Sequence, residues 1–80
     1  MIACFRGAYD VLRAKDLEEL DKQIQVAKDK GAECVWLAIY DDNLCEALGL
    51  GKPLKNVEER MKIMEQIIGI DFVFKISTLQ

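Results

Sequence analysis

Three short apolar runs divide the chain and predict three β-strands. Residues 1–5 form a continuous apolar run before Gly7; a run this short, followed by a glycine, is typical of a buried strand. Residues 34–40 form a longer run without polar alternation, which is typical of a central strand covered on both faces of a parallel sheet. Residues 72–74, with Ile76 beyond them, combine aromatic and β-branched side chains and predict a third strand.

A helical period lies between the first two strands. The apolar positions that recur at the spacing of one helix face are Leu17, Leu20, Ile24 and Ala27. Asp16 precedes this stripe, and Glu19 stands three residues after Asp16. This spacing is the pattern of a capping box. We therefore expect the helix to begin at Asp16 and to end near Gly31, after two lysines.

Two further helices are predicted between the second and third strands. Asn43, followed three residues later by glutamate, predicts a short helix that stops at Gly49, and Asn56, in the same arrangement, predicts a longer one that ends at Gly69. The apolar face of the longer helix consists of Val57, Met61, Met64, Ile67 and Ile68.

The predicted order β-α-β-α-α-β indicates an α/β fold with flanking helices and a parallel sheet built by right-handed crossovers. We expect three parallel strands in the order 3-2-1, which is half of a doubly wound, Rossmann-like fold. With 80 residues, the chain has room for one domain, residues 1–80.

Composition removes several classes of function. The chain has no histidine, which excludes a histidine triad, a histidine metal site and a histidine general base. A formal net charge of −3 argues against nucleic acid, because phosphate contacts need a basic surface. No apolar run reaches the roughly 18 residues of a membrane span, and Gly7 comes too early for a signal peptide. We therefore expect a cytoplasmic protein with no nucleic-acid or membrane partner.

The cysteines do not form a redox or zinc motif. The three cysteines are an odd number and include no C-x-x-C pair, so neither a disulfide framework nor a zinc site is expected. Cys4 and Cys34 fall inside apolar strands and are expected to be buried, whereas Cys45 is expected to be partly exposed on the short helix. By their spacing, Trp36 and the methionines at positions 61 and 64 are expected in the core.

The loop after the first strand carries a recognisable motif. Ligands of open parallel sheets bind beyond the carboxyl ends of the strands, and Gly7-x-Tyr9-Asp10 stands at the first of these ends. This motif is similar to the opening of the cytidylyltransferase family of the glycerol-3-phosphate and cholinephosphate type, in which the segment continues H-x-G-H. Three further segments match that family in order along the chain: residues 39–43, the lysine-bearing loop 52–55, and Glu59-Arg60 followed by 70–73.

The resemblance implies a nucleotide site. In this sequence its candidate nucleotide-binding residues are Gly7, Tyr9, Asp10, Arg13, Lys52, Lys55 and Arg60. The family's histidine positions are occupied here by Arg13 and Asp16. The implied activity is transfer of CMP from CTP to an alcohol phosphate or sugar phosphate, with Mg²⁺ as the cofactor if the chain is active and no other cofactor expected.

Two departures from the family affect this activity. Arg13 could supply a cation, but Asp16 places a carboxylate on the free amides at a helix start, where the family binds phosphate. In addition, residues 77–78 are a lone Ser-Thr pair, without the serine/threonine-rich element that closes over the nucleotide in the family's second half. The chain thus lacks the catalytic histidines and half of the expected nucleotide site.

Each candidate residue also has a structural interpretation. Asp10 could hydrogen-bond the backbone of its own loop, and Arg60 could pair with Glu65 in its own helix or with Asp71 beyond it. The basic loop residues that solvent alone could account for are Arg13, Lys15, Lys52 and Lys55. Asp41-Asp42 could cap a helix together with Asn43.

Three hypotheses remain open at this stage. The chain is a degenerate cytidylyltransferase-like domain that binds or oligomerises without turnover, or it is an active nucleotidyltransferase in which arginines and lysines replace the histidines. A third hypothesis follows from topology, because one edge of the first strand would be bare and apolar, and bare edges recruit partners. The partner would be a second copy, giving a homodimer, or the missing part of a larger protein.

Overall fold

The computed structural model describes residues 1–78 and contains three strands and three helices. In chain order these are β1 (Ile2–Gly7), α1 (Ala14–Asp29), β2 (Cys34–Tyr40), α2 (Asp42–Ala47), α3 (Val57–Met64) and β3 (Phe72–Ile76). The predicted α/β fold with three parallel strands and flanking helices is confirmed. Within the described residues, no helix has the length and apolar character to cross a membrane.

The sheet has the order β1-β2-β3, with β2 in the centre. Ile2 is opposite Cys34 across the first pair of strands, and Trp36 is opposite Phe72 across the second. Because both pairs are parallel, the carboxyl ends of all three strands lie at one edge of the sheet. The loops that leave this edge contain most of the candidate site residues.

One face of the sheet carries the core. Its central part is formed by alternate residues of β2, namely Val35, Leu37 and Ile39, which have no exposed surface. The residues of α1, α3 and β3 that complete this cluster are Leu20, Ile24, Val57, Met64 and Val73. Both crossovers step in the same direction along the sheet, so right-handed connections place α1 and α3 on the same face.

The opposite face of the sheet is only partly covered. Ile2 and Phe72 each expose 52% of their surface there, and Trp36 contacts Phe72 and Phe74 edge to face at centroid distances of 5.6 and 6.1 Å. The expectation that β2 is covered on both faces was therefore wrong for Cys34, which is partly exposed. Trp36 is likewise half-buried rather than a core residue.

Burial of the cysteines is nearly the reverse of the expectation. Cys4 is exposed, because it alternates onto the open face of β1, and β1 as a whole is not a buried strand. Cys45, expected at a partly exposed position, is fully buried. Its thiol donates a weak hydrogen bond to the Tyr40 carbonyl, with a sulfur–oxygen distance of 3.8 Å.

Two helices begin earlier than predicted. α1 begins at Ala14, so Asp16 lies inside its first turn, where its Oδ2 accepts from the Arg13 backbone N–H at 3.0 Å. Leu17, expected in the core, is 40% exposed. In α2 the capping residue is Asp41 rather than Asn43, since Asp41 Oδ1 accepts from the Leu44 backbone N–H at 2.7 Å.

α3 begins as predicted and ends sooner. The side-chain Oδ1 of Asn56 accepts from the Glu59 backbone N–H at 2.9 Å, which confirms the predicted cap. The helix ends at Met64, and turns follow up to Gly69. Ile68, expected on the apolar face, is 92% exposed as a result, while Met61 is half-buried and Met64 is completely buried.

Candidate functional site

Three segments meet at the carboxyl edge of the sheet. They are the β1–α1 loop, the junction between β2 and α2, and the loop between α2 and α3. The side chain that joins them is Arg60, which points from α3 into this edge and has no exposed surface. We call this region the loop edge and define it by Ala8, Tyr40, Asp42, Lys55 and Arg60.

Each of the three guanidinium nitrogens of Arg60 donates to a protein oxygen. Its Nε donates to the Lys55 carbonyl at 3.0 Å, and its Nη2 donates to Asp42 Oδ1 at 2.7 Å. Its Nη1 donates to two carbonyls, that of Ala8 at 2.6 Å and that of Tyr40 at 2.8 Å. A buried cation is stabilised in this way because one carboxylate offsets its charge and the carbonyls satisfy its donors.

The predicted ion pairs of Arg60, with Glu65 or with Asp71, were wrong. Its carboxylate partner is Asp42, which follows β2, and not Glu65 or Asp71. Asp71 has a different role, since its Oδ2 accepts from the Val35 backbone N–H at 2.7 Å at the start of the sheet. Asp42 is therefore a site residue that sequence reasoning missed; the signals for it were its place in the acidic pair after a buried strand and in the segment 39–43 that resembles the family.

Asp10 joins two loops. Its Oδ2 accepts from the Leu54 backbone N–H at 2.8 Å, and its Oδ1 accepts from the Lys55 backbone N–H at 3.0 Å. These bonds, chiefly the one from Leu54, hold the pKa of the Asp10 carboxyl below its usual value, with the charges of Arg60 and Lys55 adding to the effect. The interpretation that Asp10 bonds its own loop was wrong, because its partners lie in the α2–α3 loop.

Gly7 and Tyr9 form a packed turn. Tyr9 adopts a positive φ of 50°, which folds its ring back onto the backbone at position 7. A Cβ on Gly7 would lie 2.9 Å from Tyr9 Cε2, so any larger residue there would force the Tyr9 ring to move. Burial raises the pKa of the Tyr9 hydroxyl, and the neighbouring Tyr40 and Cys4 act in the same direction. In this chain the Gly-x-Tyr-Asp motif thus has a structural explanation.

The start of α1 carries acid rather than a free anion site. Arg13 and Asp16 are both exposed, and the Asp16 carboxylate already accepts the Arg13 backbone N–H. Lys15 is exposed beside them. Within residues 1–78, neither Arg13 nor Lys15 makes an ion pair, so the two cations project into solvent.

The two loop lysines differ. Lys52 is exposed, whereas Lys55 is half-buried. The Lys55 backbone N–H donates to Asp10, and its carbonyl accepts from Arg60. The structure therefore connects some of the candidate residues and leaves others apart. Hydrogen bonds at the loop edge join Asp10, Lys55 and Arg60. Gly7 and Tyr9 contact each other at the end of β1. Those that remain on the surface are Arg13, Asp16 and Lys52.

A second cluster lies at the end of β3. Ser77 Oγ donates to Asp41 Oδ2 at 2.6 Å, and this bond, with that from the Leu44 backbone N–H, lowers the pKa of the Asp41 carboxyl. Residues 79–80 lie outside the described residues. Over residues 1–78, no three acidic or cysteine side chains are grouped closely enough to hold a metal ion.

Comparison with known proteins assigns no family. No protein-family model matches the chain, and no curated protein matches it. The chemistry of the site therefore has to be derived from its own geometry. That geometry consists of a buried arginine that donates to protein oxygens, a carboxylate that joins two loops, and a helix start that already carries an acid.

Proposed function

We propose that the chain is a cytidylyltransferase-like domain that no longer handles a triphosphate and serves as a binding and assembly module. The proposed scaffold is half of a doubly wound fold, with the three strands in the order 3-2-1 of that fold. The observation that carries this proposal is the bonding of Arg60. Every guanidinium nitrogen donates to a protein oxygen, four of the five N–H groups are used in this way, and the side chain has no exposed surface, so this cation is not accessible to a phosphate.

The start of α1 supports the same proposal. A helix N-terminus attracts anions through its free amides, but here the Asp16 carboxylate occupies that position and two glutamates follow it. A unit charge about 4 Å from another of the same sign is repelled by roughly 4 kcal/mol at an effective dielectric of 20. A bound triphosphate would face this repulsion without a histidine to offset it.

The open edge of β1 supports a role in assembly. Within residues 1–78, β1 pairs only with β2, and its other edge presents unpaired backbone groups. Such an edge favours pairing with another chain. We propose that this edge is the assembly surface of a cytoplasmic homodimer or of the larger protein to which the domain contributes.

Calorimetric titration with CTP and Mg²⁺ tests the loss of nucleotide binding. We expect no binding heat. A dissociation constant below about 100 μM, or about −5.5 kcal/mol, would overturn the proposal and favour the active nucleotidyltransferase. In that case R13M and K52M, which remove exposed candidate cations, should abolish the heat, whereas K22M, outside the candidate site, should leave it unchanged.

A gain-of-function variant tests which residues disable the site. R13H/K15G/D16H restores the family's H-x-G-H pattern at the start of α1. If the acid at this position prevents nucleotide binding, the variant should bind CTP where the original chain does not. Absence of binding by the variant would mean that the loss lies elsewhere, with the bonded Arg60 as the first alternative.

A further inference from the structure

A groove of about 520 Å³ runs along the open edge of β1. Ala3 and Phe5 form its floor, and α1 forms its wall through Glu19, Val26 and Lys30. Val26 is 51% exposed although it faces this groove. The groove therefore combines an unpaired strand edge with a partly apolar helix side.

The backbone at this edge has a defined pattern of donors and acceptors. The Met1 carbonyl accepts from the Glu33 N–H at 2.9 Å, on the side of β2. Since the N–H and C=O of one strand residue point to the same side and alternate along the strand, the groups of Ile2, Cys4 and Arg6 point outward. Another strand can pair with these groups only in registers that place its own outward-facing residues opposite them.

The side of α1 that lines the groove is electrically self-complementary. It has an acid near its start, Glu19, and a base at its end, Lys30, and the residues that line the groove between them are Lys22, Gln23, Val26 and Ala27. Two such helix sides placed antiparallel, with Glu19 opposite Lys30, bring Val26 opposite Gln23. Lys22 then lies opposite Ala27, so no two like charges face each other. An unrelated extended peptide would pair with the strand edge but would leave this charge pattern unmatched.

We propose that β1 pairs antiparallel with β1 of a second copy about a two-fold axis at Ala3. Ile2 then exchanges backbone hydrogen bonds with Cys4 of the partner subunit, and Glu19 lies opposite Lys30 of the partner subunit. This inference rests on the proposed function and names the partner of its assembly surface.

The dimensions of the sheet permit this arrangement. With strands about 4.8 Å apart, the axes of the two α1 helices are roughly 10–14 Å apart, depending on whether α1 lies between β1 and β2 or above β2. Helices that pack directly have axes about 8–10 Å apart. The two helices are therefore in direct contact at the shorter separation, and at the longer one their glutamate and lysine side chains can still meet.

The charge pattern selects between two registers. The outward-facing backbone groups also permit pairing about Cys4. Because α1 runs antiparallel to β1, its Lys30 end lies at the Met1 end of the groove. The groove lining extends from Met1 to Phe5 along the strand and from Lys30 to Glu19 along the helix, so the middle of the helix side corresponds to Ala3. Pairing about Cys4 would shift Glu19 away from its basic partner. The Ala3-centred register is the one that satisfies both strand and helix.

Charge-swap variants test the helix contacts. Light scattering at 100 μM should give a dimer for the original chain. E19K and K30E should each weaken it at least about tenfold, because each dimer contains the pair twice and reversal replaces attraction by repulsion. E19K/K30E should restore the dimer. D21K and K28E, which make the same charge changes away from the groove, should leave it unchanged.

Cysteine cross-linking tests the register. In a C4S background, A3C places two thiols at directly opposed positions whose Cα atoms are about 4.5 Å apart, within the range of a disulfide. I2C in the same background separates the corresponding Cα atoms by about 8 Å. Oxidation should link A3C/C4S into a covalent dimer and leave I2C/C4S unlinked.

Specific outcomes would overturn the dimer. A monomer at 100 μM, equal effects of the groove and control charge changes, or equal cross-linking at positions 2 and 3 would each do so. These results are independent of nucleotide. A dimer that binds CTP overturns only the loss of nucleotide binding, and a monomer that does not bind CTP overturns only the dimer.

Discussion

The guanidinium of Arg60 donates to the Ala8 carbonyl across a sequence separation of 52 residues, at 2.6 Å. The same nitrogen reaches the Tyr40 carbonyl, so one buried side chain connects the ends of two neighbouring strands. Its Nε donates to the α2–α3 loop, and its Nη2 donates to Asp42. The loop edge is therefore held together from its interior, and its conformation depends on this arginine.

Replacing Arg60 should be the most damaging single change at the loop edge. R60M keeps most of the aliphatic volume but leaves three carbonyls and the Asp42 carboxylate without their donor. The Asp42 carboxylate is 42% exposed and can be solvated, but a buried carbonyl left without a donor costs about 1–3 kcal/mol, so we expect a loss of at least this size in the free energy of unfolding. Urea denaturation followed by circular dichroism measures it.

A matched control separates the effect of losing a buried side chain from the effect of changing a residue of α3. K62M makes a similar change two residues later in α3, where the side chain is exposed. Exposed substitutions away from specific contacts usually stay within about 0.5 kcal/mol. Equal losses in R60M and K62M would contradict the structural role of Arg60.

The sequence predicts the elements better than their burial. The apolar runs identify all three strands, and residues 34–40 match β2 at both ends. The prediction of burial is wrong where the topology of the sheet determines which face is covered. Both crossovers place their helices on one face, which leaves Trp36 partly open and Ile2 exposed. A pattern of apolar residues does not specify which face a helix will cover.

The candidate site shows the same limit at longer range. Gly7, Tyr9 and Asp10 stand out as a motif, and their position at the end of β1 was predictable from sequence. Their contacts were not, because the partners of Asp10 are backbone N–H groups of Leu54 and Lys55, which no side-chain pattern reveals. A motif that resembles a ligand site can therefore be used to join two loops.

Gly7 and Tyr9 should show strong energetic coupling. G7A places a methyl group 2.9 Å from Tyr9 Cε2, so the ring has to move. Overpacking of this kind costs about 1–3 kcal/mol. In a Y9A background the ring is absent, and G7A should then cost much less. A double-mutant cycle by urea denaturation measures this coupling, and additive effects would show that the ring does not restrict position 7.

The two candidate caps of α2 should differ in their contribution to stability. D41A removes the acceptor of the Leu44 N–H and also the partner of Ser77. Loss of a helix N-cap costs about 0.5–2 kcal/mol. N43A changes an exposed residue inside the helix and should stay within about 0.5 kcal/mol. Thermal unfolding of both variants checks this, and a larger loss in N43A would favour the cap expected from sequence.

Asp10 should make stability depend on acid pH. Folding lowers the pKa of its carboxyl, so the folded state favours the ionised form. Its stabilising contribution is complete above the unfolded pKa of about 3.9 and is lost as the pH falls through the lower folded value. Asp41 and Glu58, whose pKa values are also lowered, act in the same direction, so the chain should be less stable in acid.

The variant D10N isolates the share of Asp10 in this pH dependence. An amide accepts hydrogen bonds with only one of its two terminal atoms, so D10N should be less stable than the original chain at pH 6. The difference should shrink towards pH 2.5, because protonation of Asp10 progressively removes its charge from the original chain as well. Urea midpoints at the two pH values measure it. L54A, in the same loop, removes a side chain that is 83% exposed and retains the backbone N–H, so its difference from the original chain should stay constant with pH. If the difference between D10N and the original chain is also the same at both pH values, the Asp10 charge does not hold the two loops together.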